Sequence, residues 1–194
     1  MSEAWIGFCG GLIGAFVALS KDVWLERRNR AKNAHYLAVH VVTLLDRFVE
    51  GCARVTRDDG VPDGGDPGYY QAYPELQECE PTFDPYGLDV DWKSIDLDLG
   101  YKILNFPNLV SMTADRVEDV LNVNFENIDY RREQYAALGL KAAGIAGDLR
   151  KRYHLPSPDY GEWNPVEKIR QTIAAFEERR QRYDHATISD ECVE

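Results

Sequence analysis

The sequence predicts a mostly α-helical protein in which an N-terminal transmembrane helix continues into a long amphipathic helix and packs with three or four further helices. Two observations lead to this prediction. Residues 4–19 carry no ionisable side chain except that of Cys9. After them, apolar residues recur at steps of three and four over most of the chain, which is the spacing of one helical face. The predicted segments are an anchor (1–25), a juxtamembrane amphipathic helix (26–57), an acidic loop rich in Gly, Pro and Tyr (58–90), a helical cytoplasmic domain (91–184) and a flexible tail (185–194).

The anchor is the first predicted element. A helix of residues 4–19 is about 24 Å long, shorter than the roughly 30 Å hydrocarbon core, so Trp24 and Leu25 are needed to extend it. Residues 20–32 contain five bases and two acids, and positive charge of this kind stays in the cytoplasm. We therefore expect the N-terminus outside and the rest of the chain in the cytoplasm. A cleaved signal peptide and a buried or interfacial helix are the alternatives.

Small residues recur on one face of the predicted anchor. They form two series at four-residue spacing, the first being Gly7, Gly11 and Ala15 and the second Gly10, Gly14 and Ala18. Series of this kind let transmembrane helices approach closely and associate. A homo-oligomer formed through this glycine face is our hypothesis, although Gly and Ala are also common in membrane spans that do not associate.

The juxtamembrane helix carries a single apolar stripe. We expect it to pack in the core of the same chain, with a short coiled coil as the alternative, because no sustained heptad is present. Its members are Leu37, Val41, Leu44, Leu45, Phe48, Cys52 and Val55.

The loop predicted at 58–90 has ten Gly or Pro residues among its thirty-three. It also has more aromatic residues than a plain linker needs, namely Tyr69, Tyr70, Tyr73, Phe83 and Tyr86. We expect a long loop whose aromatic side chains dock on the helices, and a surface here that binds a protein partner.

Helical patterns return after residue 91. A short helix is predicted over 96–104, a second helix begins at Pro107, and a third covers 129–153. Asn164 as N-cap, Pro165 in the first helical position and Glu167 two residues later predict the start of the last helix.

Charge and residue spacing argue against several functions. The net charge is −11, and residues 58–129 hold seventeen acids against three bases, so nucleic-acid binding is not expected. The four cysteines are scattered, with no zinc or redox spacing. The four histidines have no catalytic partner at an informative spacing, and Arg150 to Arg152 suit the end of a helix. We name no catalytic, cofactor-binding or metal-ligating residue and expect no cofactor.

One carboxylate cluster deserves a test as a cation site. It consists of Asp89, Asp91, Asp96 and Asp98, but the spacing departs from that of a calcium-binding loop. Helix capping is the favoured interpretation of these acids.

Four blocks of sequence resemble those of an uncharacterised group of small bacterial proteins with one N-terminal transmembrane helix and a helical cytosolic domain. The blocks are Asp91–Asp96, Tyr101–Leu104, Gln134–Leu140 and Asp159–Pro165. The resemblance implies topology and a bacterial inner-membrane location, and it implies no activity.

These observations favour a single-pass membrane-anchored interaction or assembly factor over an enzyme. The expected partners are the lipid bilayer, a second copy of the chain and an unknown protein. One alternative is a membrane-tethered enzyme that uses the Asp89–Asp98 acids. The other is a small membrane-perturbing protein.

Overall fold

The computed structural model describes residues 2–60, 76–123 and 127–191, with side chains at 21, 23–60, 76–123 and 127–182. It contains four α-helices and one short 3₁₀ helix in these ranges, so the prediction of a mostly α protein is confirmed. In chain order they are α1 (Ser2–Val55), the 3₁₀ helix (Trp92–Ser94), α2 (Leu97–Val123), α3 (Ile128–Tyr153) and α4 (Pro165–Glu191).

The long first helix divides into an exposed part and a buried part. The described side chains from residue 21 to 33 are all exposed, and we call this segment the stem. Among the described side chains of α1, the first buried one is that of Ala34, at 4% exposure. The side chains of residues 1–20 lie outside the described residues, and with them the predicted anchor and its glycine face. In the described part of the chain, no helix combines the length and the apolar character needed to cross a membrane.

α3 lies at the centre of the packed part of the protein, where it contacts α1, α2 and α4. The apolar stripe of α1 forms much of the core, as the periodicity predicts: six of its seven residues are at most 1% exposed, and Leu44 is partly buried. The stripe therefore packs within its own chain.

Gly139 of α3 allows three helices to approach one another closely. A Cβ atom built at this position would lie 2.7 Å from Cδ1 of Ile169 in α4 and 2.9 Å from Cβ of Cys52 in α1. Carbon atoms in contact normally lie 3.5–4.0 Å apart. The absence of a side chain at Gly139 therefore permits the close spacing of α1, α3 and α4 at this point.

The described end of the predicted loop docks on the helices. Phe83 is buried, and its ring packs edge to face on Phe48 and Phe106 with centroid distances of 6.2 and 5.3 Å. The Tyr86 hydroxyl donates a hydrogen bond to the Leu104 carbonyl at 2.7 Å. Tyr69, Tyr70 and Tyr73 lie outside the described residues.

The predicted helix boundary at Pro107 is wrong. α2 runs through Pro107 without a break, although a proline leaves the carbonyl of Ile103 without its helical hydrogen-bond donor. Residues on both sides of the proline are buried, with Phe106 at 0% and Val117 at 1% exposure. Packing of both halves keeps the helix continuous against the local preference of proline. α4 likewise continues through Glu191, into the segment predicted as a tail.

Candidate functional site

Two grooves meet where the stem joins the packed helices. This stem junction consists of residues 27–35 of α1, residues 92–97 around the 3₁₀ helix, and residues 152–154 at the end of α3. Arg30, Ile95 and Asp96 line both grooves. Nη2 of Arg30 donates a hydrogen bond of 2.6 Å to the carbonyl oxygen of Lys93, which ties the stem to the 3₁₀ helix.

The acids predicted as a possible cation site lie beside this junction, and two of them cap helices. Oδ1 of Asp91 accepts the backbone N–H of Lys93 at 3.1 Å, at the start of the 3₁₀ helix. Oδ1 of Asp96 accepts the N–H groups of Asp98 and Leu99 at 3.1 and 3.4 Å, before α2. Among the described residues, no group of three or more His, Cys, Asp and Glu side chains could hold a metal ion. The capping interpretation matches these contacts.

The groove on one side of Arg30 is largely apolar and has a volume of about 790 Å³. Trp92, Leu97, Tyr101 and Leu104 supply its apolar walls. Leu97 is 85% exposed and Tyr101 69% exposed, so this face of α2 is open along its first turns. We call this the apolar groove.

The groove on the other side of Arg30 is basic and has a volume of about 550 Å³. We call it the basic cleft. The stem and α3 meet here, and the charged and imidazole side chains that line it are Arg27, Arg30, His35, Arg152, His154 and Asp96. The bases of the stem and those at the end of α3 are more than a hundred residues apart in the chain. No periodic signal could have joined them.

His154 occupies an unusual backbone conformation at the rim of the basic cleft. It caps the C-terminus of α3 in the left-handed region, with φ 53° and ψ 40°, and its N–H bonds to the carbonyl of Arg150. Glycine is the usual residue at such a position, since a side chain costs energy there. A non-glycine residue in this conformation is a reason to ask what its side chain does.

A buried ion pair closes the opposite end of the helical bundle. Nη1 of Arg131 lies 3.1 Å from Oδ2 of Asp58, and each side chain is 1% exposed. Asp58 also accepts the N–H groups of Gly60, Gln77 and Glu78. The Asp58 carboxylate therefore binds the chain on both sides of residues 61–75, at Gly60 and at Gln77 and Glu78. No sequence pattern predicts the ion pair, since Asp58 and Arg131 are 73 residues apart in the chain.

Burial and hydrogen bonding act in opposite directions on the Asp58 carboxyl. Burial alone raises its pKa, but the N–H groups of Glu78 and Gly60 and the Arg131 guanidinium outweigh burial. The pKa consequently lies below its ordinary value of 3.8. The neighbouring Tyr135 hydroxyl is buried, and its pKa is raised by desolvation and by Glu80.

Comparison with family models, curated proteins and solved structures found no match for this chain. The resemblance to small bacterial membrane proteins thus stays a prediction. The geometry of the stem junction and the sequence that precedes it are the observations from which a function can be argued.

Proposed function

We propose that this protein is a single-pass, membrane-anchored interaction or assembly factor of the bacterial inner membrane, with its helical domain in the cytoplasm. The observation that carries the proposal is the continuity of α1, which runs from Ser2 to Val55. One helix therefore joins the apolar stretch 4–19 to the buried stripe of the folded part. Such a connection would hold the domain at a fixed distance from the bilayer.

The side chains at the start of the stem support this placement. A span of 30 Å needs about 20 helical residues, so a membrane segment starting at Ala4 would end near Val23. Trp24 comes next and is 60% exposed, with the guanidinium of Arg28 5.4 Å from its ring centroid. Tryptophan and basic residues are typical of the interface between hydrocarbon and water.

The charge distribution is consistent with an interaction role. The first 57 residues carry eight bases and five acids, whereas residues 58–129 carry seventeen acids and three bases. A basic segment next to an anionic membrane and an acidic domain facing away from it suit a protein that presents a surface to a partner. The expected partners are the bilayer, a second copy and an unknown protein. The enzyme alternative would use the Asp89–Asp98 acids, and two of these, Asp91 and Asp96, are engaged in capping helices.

Carbonate washing of bacterial membranes tests the anchor. We expect the full-length protein to stay in the membrane pellet, because a spanning helix resists extraction at high pH. A variant with Leu12→Arg and Phe16→Arg places two charges in the span, each costing about 2.5–3.5 kcal/mol of insertion free energy, and should be released. Release of the unmodified protein into the supernatant would reject the anchor.

The glycine face makes a separate prediction about self-association. Replacing Gly7, Gly10, Gly11 and Gly14 by Ile should abolish oligomers, since larger side chains keep helix backbones apart. The matched control is Leu12→Ile with Phe16→Ile, which lies on the other side of the helix. Cross-linking in membranes is the measurement, and equal cross-linking of the glycine variant and the control would contradict the prediction.

A further inference from the structure

We propose that the basic cleft binds the phosphate group of an anionic lipid headgroup. This inference rests on the proposed membrane anchor and deepens it, because it gives the folded domain its own contact with the bilayer. It follows from four observations: the face of α1 that enters the cleft, the balance of charge there, the height of the cleft above the predicted span, and the conformation of His154.

The cleft lies on the core-facing side of α1. Arg27, Arg30 and Ala34 are three and four residues apart, so they share one face of the helix. The same face continues into the core through Ala38 and Val41. The side of α1 that packs on other helices therefore changes from apolar to basic at the point where α3 ends. A basic surface inside a concave junction is suited to an anion.

The bases of the cleft outnumber its acids. Arg27 and Arg152 form no ion pair within the described residues, and Arg30 contacts a carbonyl oxygen rather than a carboxylate. Asp96 is the acid in the cleft lining, and its Oδ1 is already occupied by two backbone N–H groups. Three guanidinium groups thus face one carboxylate in a protein whose net charge is −11.

Arg152 lies in the last turn of α3, where basic residues commonly compensate the helix dipole. Its neighbour Arg150 is engaged in direct contacts, since it donates to the carbonyl of Pro156 and pairs with Asp46 at 2.5 Å. Arg152 is exposed and directed to the cleft without a carboxylate partner in the described structure. Its charge is available to a ligand.

The membrane-facing end of the cleft lies at the height of the lipid headgroups. If the hydrocarbon core ends near Val23, Arg27 and Arg30 come about 6 and 10 Å further along the helix axis. The headgroup layer extends roughly 5–8 Å beyond the hydrocarbon, so Arg27 lies within it and Arg30 lies just above it. Long side chains on a helix lean toward its N-terminus, which brings the Arg30 guanidinium closer to the headgroups, and arginine is well suited to phosphate because its planar group donates two parallel hydrogen bonds.

The conformation of His154 adds an independent observation. Its left-handed backbone would be more stable with glycine, yet an imidazole that lines the cleft is present. A side chain retained at this cost is explained if it donates a hydrogen bond to the bound phosphate. His154→Gly then separates the two effects, because it removes the donor while relieving the backbone.

Native mass spectrometry of the full-length protein in detergent micelles tests the proposal. The probes are phosphatidylglycerol, phosphatidylcholine and inorganic phosphate, each titrated separately. We expect phosphatidylglycerol to be retained in preference to the other two. Arg27→Gln and Arg152→Gln should each weaken its retention about fivefold. Arg27→Lys and Arg152→Lys keep the charge but lose the paired donors, so their retention should lie between that of the Gln variants and that of the unmodified protein. His154→Gly should weaken retention without lowering the melting temperature.

Lys141→Gln is the matched control, since Lys141 is an exposed cation in the middle of α3, away from the cleft. Its retention of phosphatidylglycerol should equal that of the unmodified protein. Equal retention of both lipids, or unchanged retention in the Arg27→Gln and Arg152→Gln variants, would overturn the proposal. Preferential binding of inorganic phosphate would overturn the lipid assignment. Because the micelle does not require a spanning helix, retention is measured independently of the carbonate wash, and the two proposals can fail separately.

Discussion

Asp58 and Arg131 are in contact at 3.1 Å, and each side chain is 1% exposed. Moving two charged groups out of water costs several kcal/mol per ion, which their attraction and added hydrogen bonds must offset. The carboxylate receives three backbone N–H groups besides the arginine, and Nη2 of Arg131 donates to the Glu78 carbonyl at 2.6 Å. Nε of Arg131 has no hydrogen-bond partner in the described structure and lies 3.9 Å from Oε1 of Glu80. Loss of Asp58 would therefore leave Arg131 with this more distant carboxylate, and loss of Arg131 would leave Asp58 with backbone N–H groups.

The Asp58→Asn variant tests how much the buried ion pair contributes to stability. Arg131 would keep its charge, with the half-exposed carboxylate of Glu80 at 3.9 Å from Nε as its remaining counter-ion. We therefore expect the free energy of unfolding to fall by about 3 kcal/mol at pH 7, the lower end of the range for breaking a buried pair, measured by urea denaturation. Asp115→Asn is the control: Asp115 is exposed on α2, and its replacement should change stability by less than about 0.5 kcal/mol.

The pH dependence of stability follows from the same carboxyl. Its pKa is lower in the folded protein than the ordinary 3.8, so the unfolded chain binds more protons between the two values. The stabilisation is complete above the unfolded pKa and is lost as the pH falls through the folded one. Asp58→Asn should therefore flatten the stability profile below about pH 4. A profile as steep as that of the unmodified protein would contradict the lowered pKa.

The packing of the helices against one another depends on the small residues of α3. Its fully buried positions include Ala136, Ala142 and Ala146 as well as Gly139, so neighbouring helices can lie close to its backbone. Close packing removes apolar surface from water along α1 and α4. The close packing of the helices thus depends on these small residues as much as on the large apolar side chains of the core.

Two glycines of α3 give opposite predictions for the same substitution. Gly139→Ala would place a Cβ atom within 2.9 Å of Cys52 and should lower stability by about 1–2 kcal/mol, since overpacking outweighs the helix propensity of Ala. Gly144→Ala meets no described atom within 4 Å and should raise stability by about 0.5–1 kcal/mol. Thermal unfolding of both variants is the measurement, and a gain at both positions would show that the helices can move apart.

Local signals predicted some elements and failed at others for identifiable reasons. The start of α4 is confirmed, because Oδ1 of Asn164 accepts the N–H groups of Val166 and Glu167 at 3.1 and 3.2 Å. Pro107 misled the prediction of α2, where burial on both sides of the proline overrides its preference for a helix start. Sequence periodicity reports one helical face, but it contains no information on which distant element covers that face.

The basic cleft could be predicted from the sequence only in part, because it is formed by distant segments of the chain. The bases of the stem could be recognised from their position after an apolar stretch. These bases lie close to Arg152 and His154 only because α3 packs on α1, and this packing is a property of the assembled helices. Charge separation along the chain was visible in the sequence, whereas the cleft that concentrates positive charge at the stem junction was not.

The basic residues of the stem predict the orientation of the whole protein in the membrane. Positive charge within about 20 residues of a span determines which side stays in the cytoplasm, so Arg27, Arg28 and Arg30 should retain the helical domain there. A C-terminal fluorescent-protein fusion should be fluorescent and an alkaline phosphatase fusion inactive. Replacing the three arginines by Gln while introducing Ser2→Lys and Glu3→Lys reverses the charge difference, and phosphatase activity should rise.

Bases far from the predicted span provide the control for this experiment. Arg116, Lys141 and Arg170 lie beyond the distance over which charge directs insertion, so replacing all three by Gln should leave both fusions unchanged. Phosphatase activity in the unmodified fusion would reverse the proposed topology, and it would also place the basic cleft on the other side of the membrane. Equal effects of the near and distant substitutions would show that orientation is set by the folded domain rather than by the stem.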